Sequence, residues 1–61
     1  MKRTWDTAHE MIKADLFNDK IGSAQTNAQD TCKELKITDS HPDFKATWAE
    51  IFFSTLDALQ D

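Results

Sequence analysis

A chain of 61 residues with one cysteine, Cys32, must close its core without an internal disulfide. That constraint is severe, because so short a chain buries a smaller fraction of its surface than a larger domain and is correspondingly marginal. The usual supports at this size are disulfides, a structural metal, oligomerisation or very good helix packing. A structural zinc site needs about four ligands at suitable spacing. The nitrogen and sulfur candidates are only His9, Cys32 and His41, scattered over separate segments. Association with a second copy or with another protein is the support that survives elimination. The lone thiol also suits a reducing compartment, although a disulfide between two chains would be compatible with it.

Lys2 and Arg3 could open a signal peptide, but Asp6, Glu10 and Asp15 interrupt the stretch where its apolar region would lie. The longest unbroken apolar run is Ile51-Phe52-Phe53, far short of the roughly 20 residues of a membrane span. The expectation is a cytoplasmic chain with no membrane association. Net charge is −4, and all of it lies in the C-terminal part. Residues 1–36 balance Lys2, Arg3, Lys13, Lys20, Lys33 and Lys36 against Asp6, Glu10, Asp15, Asp19, Asp30 and Glu34. Residues 37–61 set Lys45 against Asp39, Asp43, Glu50, Asp57 and Asp61. Phosphate binding depends on clusters of Lys and Arg, and the chain has none, so direct nucleic-acid binding is disfavoured.

One glycine, one proline and no low-complexity stretch indicate a single domain over 1–61 without linkers. Three segments show helical periodicity. In the first, about 4–17, Trp5, Ala8, Ile12 and Leu16 form one stripe. Thr4 is a candidate N-cap, Thr7 with Glu10 offers a rival capping box, and Asn18-Asp19 reads as a stop. In the second, about 20–36, Ile21, Ala24, Ala28, Cys32 and Leu35 make a narrow stripe of mostly small side chains, which permits close approach of a neighbour. Gly22 weakens its first turn. The third, about 41–60, comes after a polar break at Thr38-Asp39-Ser40-His41. Ser40 can cap it, Pro42 suits a first turn, and Asp43 places negative charge at the positive end of the helix dipole. The reading is an all-α, three-helix domain.

The third segment is apolar over an unusually wide arc. At about 100° per residue, Phe44, Trp48, Ile51, Phe52 and Leu59 form a core stripe, and Ala46, Ala49, Phe53 and Leu56 continue round the side. Roughly two-thirds of the circumference is apolar, where a surface helix needs little more than 100°. Thr47, Glu50, Ser54, Asp57 and Asp61 make the polar face. The arc has two compatible readings. Either this is the central helix touching both others, or the side seam around Phe53 is a contact surface, since contiguous apolar patches on small domains mark interfaces. Met11 and Phe17 lie off the first stripe; Phe17 suits the corner between helices one and two.

Chemistry-bearing motifs are sparse. His9-Glu10 lacks the second histidine of a zincin, and His9 beside Asp6 and Lys13 reads as a solvated face. His41 belongs to the turn before Pro42. Cys32 lies on an alanine-rich stripe, where a buried, inert thiol is expected. A helix-turn-helix over the residues beyond Cys32 is rejected, because Pro42 and Asp43 would fall in an acidic recognition helix. Acidic residues recur four apart at Asp6/Glu10, Asp15/Asp19, Asp30/Glu34, Asp39/Asp43 and Asp57/Asp61. Such pairs are mildly destabilising inside a helix and admit a reading as phosphate mimicry toward a nucleic-acid-binding protein.

The expectation is a non-enzymatic, cofactor-free and metal-free protein-binding module. It would be an inhibitor or adaptor, in the style of a virus- or plasmid-encoded modulator. It is expected to form a homodimer and to act on another, basic or nucleic-acid-binding, protein. The interface residues are Ala46, Ala49, Glu50, Phe53, Leu56 and Asp57 of helix three. The alternatives are a self-assembling structural subunit and a small DNA-associated dimeric regulator.

Overall fold

The computed structural model describes residues 2–15 and 18–59, and the expectations at Leu16, Phe17 and Asp61 lie outside them. Three α-helices succeed one another: α1 (Trp5–Ala14), α2 (Asp19–Glu34) and α3 (Phe44–Leu59). The all-α, three-helix architecture is as the periodicity indicates. The helix bounds differ from the periodic patterns by up to a few residues, and local capping gives the reason at the starts.

Thr4 caps α1. Its backbone is extended (φ −112, ψ 165), and its hydroxyl oxygen accepts from the Thr7 N–H at 3.2 Å. Thr7 therefore serves the cap at Thr4 and does not start a box of its own with Glu10. Asn18, expected as a stop, instead begins α2. Its side-chain oxygen accepts from the N–H groups of Lys20 (2.9 Å) and Ile21 (3.3 Å), two donors that a helix start leaves without intrahelical partners. Asn18 also donates to the Asp15 carboxylate at 3.0 Å, which ties the end of α1 to the start of α2. Gly22 is exposed and meets nothing within 4 Å beyond its own helix, so it interrupts no packing.

The third helix starts later than the Ser40–Pro42 signal suggests. The His41 N–H donates to Thr38 O and the Phe44 N–H to His41 O, which closes a turn around Pro42. The His41 ring Nδ1 accepts from the Asp43 N–H at 3.0 Å. The first helical bond runs from the Thr47 N–H to Asp43 O. Ser40 bonds Thr38 rather than capping, and Pro42 stands before the helix rather than in its first turn.

The core is made by α3 on both neighbours. Its buried residues are Trp48, Ala49, Phe52, Phe53 and Leu56, facing Ala8 of α1 and Ile21, Ala24, Ala28 and Cys32 of α2. The small residues of α2 let it lie close along α3, and Asn27 donates to Thr55 at 2.8 Å across that contact. Trp5, Met11, Ile12, Phe44 and Ile51 close the edges half-buried. Of the core stripe expected on α3, Leu59 is exposed and Ile51 only partly covered, whereas Phe53 and Ala49 are as deeply buried as Trp48. The centre of the buried arc is rotated toward the side seam, because α1 covers that flank.

Candidate functional site

The seam expected as an interface is divided by the fold. Phe53 (3% exposed), Ala49 and Leu56 belong to the core, covered from within the chain. Ala46, Glu50 and Asp57 remain exposed. The wide apolar arc is thus accounted for by a helix with two neighbours, and among the described residues the seam leaves no free apolar patch of the kind the wheel suggests.

Five of the six expected residues nevertheless meet around one groove. Ala46, Ala49, Glu50, Phe53 and Asp57 recur at three- and four-residue steps on α3 and line a depression of about 590 Å³. Its opposite wall is Arg3, Thr4, Trp5 and Asp6, from the N-terminal segment and the first turn of α1. The depression exists because Ala46 and Ala49 are too small to fill the space beside Trp5. Leu56, the sixth, points into the core and takes no part.

Electrostatics give the groove its character. Residues 2–4 precede α1 in irregular backbone, so the Arg3 side chain is free to cross to α3. It donates to both carboxylate oxygens of Asp57, at 2.6 and 3.2 Å, and its guanidinium carbon lies 5.7 Å from the centre of the Phe53 ring. This is bidentate recognition with an aromatic face beside it, two features that suit arginine in particular. Both partners are more than half exposed, at 57% and 51%, so the pair contributes only about 0–1 kcal/mol to stability. At the other end, the Lys45 ammonium lies 5.0 Å over the Trp5 ring. Asp6 and Glu50 complete the rim, and among the described residues neither has an ion-pair partner.

Sequence reasoning misses Arg3, Trp5, Asp6 and Lys45 as site residues. No local spacing could reveal Arg3, since it meets Asp57 across 54 residues of chain. For Asp57, position on the helix wheel is enough.

A second depression, about 850 Å³, lies on the other side of Trp5 and Lys45, with His9, Phe44 and Trp48 in its wall and Cys32 at its base. His9 is not on a solvated face as expected. It is half-buried, and its Nδ1 donates to Trp5 O at 2.9 Å. Its ring lies 3.8 Å from the Trp5 ring and 4.9 Å from the Trp48 ring. The four-residue step from Trp5 to His9 is the local signal for that contact. Cys32 is buried as expected, and burial pushes its thiol pKa upward. Among the described residues, no three His, Cys, Asp or Glu side chains are placed to hold a metal ion. No described helix is long and apolar enough to cross a membrane.

No protein-family model, curated protein or solved structure matches the chain.

Proposed function

We propose that the chain is a small acidic protein-binding module, an inhibitor or adaptor, that docks on a basic surface of another protein through α3. One observation carries this reading: the groove between α3 and the N-terminal segment, with Trp5 half-buried and Ala46 exposed in its wall and carboxylates at Asp6, Glu50 and Asp57 on its rim. The apolar surface still open at Trp5 and Ala46 would supply binding energy, and a charged rim steers approach. The module acts by binding, without catalysis or cofactor. Its setting is a cytosol, where the buried Cys32 thiol stays reduced.

The test places a photo-crosslinking amino acid at Ala46, exposed on the groove, and separately at Ser23, exposed on α2. In its native host, position 46 is expected to trap one discrete basic protein that position 23 does not. The same partner from both positions, or none from position 46, would remove α3 as the docking element.

A further inference from the structure

We infer that the groove recognises an arginine side chain of its protein partner, and that Arg3 is an intramolecular stand-in for that arginine. This rests on docking through α3 and names the partner chemistry that the site selects. Asp57 offers both carboxylate oxygens to one guanidinium, and the Phe53 ring stands beside it. A lysine ammonium, a compact point charge, could use one oxygen well but not the fork. The seat is therefore built for a planar cation, and the chain's own sequence fills it.

The stand-in is poised to leave. Arg3 belongs to no helix, and the pair is solvent-exposed. When Arg3 swings out, its positive charge leaves a rim that keeps Asp6, Glu50 and Asp57 against Lys45 alone. The vacated groove is then more negative, and the part of the Phe53 ring that Arg3 covers is opened, both of which favour an incoming guanidinium. The N-terminal segment thus acts as a weak competitor that screens out partners unable to match the bidentate geometry.

The experiment titrates N-acetyl-argininamide, and its lysine counterpart, into the isotope-labelled full chain at low salt and tracks backbone amide resonances. In wild type the arginine probe is expected to shift Glu50, Phe53 and Asp57. In Arg3→Ala its affinity is expected to rise about two- to six-fold, the factor by which an exposed pair of this kind competes. Asp57→Asn in the Arg3→Ala background should abolish the shifts, and the lysine probe should bind several-fold more weakly. Both altered residues are exposed, and undisturbed resonances of Phe52 and Ala28 in the core report that the fold is kept. Absence of shifts in Arg3→Ala, equal response to lysine, or indifference to Asp57→Asn would each overturn the inference. A partner trapped from position 46 alongside such a failure would leave docking through α3 in place and remove only the selection of arginine.

Discussion

Cys32 shows how much one residue's surroundings settle. It lies on α2 among Ala24, Ala28 and the α3 aromatics, with 2% of its surface exposed. Burial disfavours the thiolate, so the folded thiol pKa lies above its ordinary value of 9.0. The folded chain then holds this proton at pH values where the unfolded chain has lost it. The thiol leaves stability untouched below the unfolded pKa, and stability falls as pH rises through the window above it. The expected outcome is slow alkylation in the native protein and fast alkylation in denaturant. In addition, the stability difference between wild type and Cys32→Ala, read from urea midpoints, should shrink between about pH 7 and about pH 10. A difference that stays constant would place the thiol in water. The alanine-rich stripe makes this residue legible in the sequence. His9 is the opposite case: its charged neighbours suggest solvent, and the two indoles that enclose it come from different helices.

At the scale of the element, the C-terminus of α2 carries strain that can be relieved. The Ile37 N–H donates to Cys32 O at 2.9 Å and the Lys36 N–H to Lys33 O at 3.1 Å, the paired bonds of a Schellman motif. That motif needs a left-handed residue, and Lys36 fills the position with φ 61. A side chain there costs about 1–2 kcal/mol, a penalty glycine does not carry. Lys36→Gly is therefore expected to stabilise the protein by about 1 kcal/mol in urea denaturation, after glycine's greater freedom in the unfolded chain is discounted. A destabilisation would mean that the Lys36 side chain makes a contact worth more than the strain. The hydrophobic pattern of α2 runs on to Leu35, which is why a helix to residue 36 is the natural reading of the sequence. The fold ends the helix two residues earlier and leaves Leu35 57% exposed at the cap.

At the scale of the whole molecule, α3 is the hub. It meets α2 along one flank and α1 with the N-terminal segment along the other, which covers Phe53 from inside. Phe53→Asp would remove a buried aromatic ring and put a carboxylate in its place, at a cost of several kcal/mol. A core of this size supplies a net stability of only about 3–5 kcal/mol. The variant is expected to lose its helical dichroism signal at neutral pH, and a retained signal would show that α1 does not hold down that flank. With the seam occupied, the exposed large apolar side chains among the described residues are Leu35 and Leu59, one at the end of α2 and the other in the last turn of α3. Asn27 pairs with Thr55 while Cys32 shares a depression with Phe44 and Trp48, so α2 and α3 run antiparallel and these two leucines lie at opposite ends. They make no contiguous patch of the size that drives association. The expected homodimer, if sedimentation equilibrium at micromolar concentration gives the mass of two chains, must therefore be built on a surface other than the Phe53 seam or these two leucines; the mass of one chain would remove it.

Helical period, the Thr4 cap, the small-residue stripe of α2 and the burial of Cys32 come from the order of residues, because each depends on neighbours within a few positions. Where α2 begins and α3 starts was decided by which polar groups found backbone donors, and Asn18 and His41 took those roles in competition with equally plausible candidates nearby. The fate of the wide apolar arc was beyond local pattern altogether. A wheel shows how much of a helix is apolar but not how many neighbours will cover it. Only the packing of α1 across α3 turned Phe53 inward and left Ala46, Glu50 and Asp57 outside. The same packing brought Arg3 to Asp57, 54 residues away.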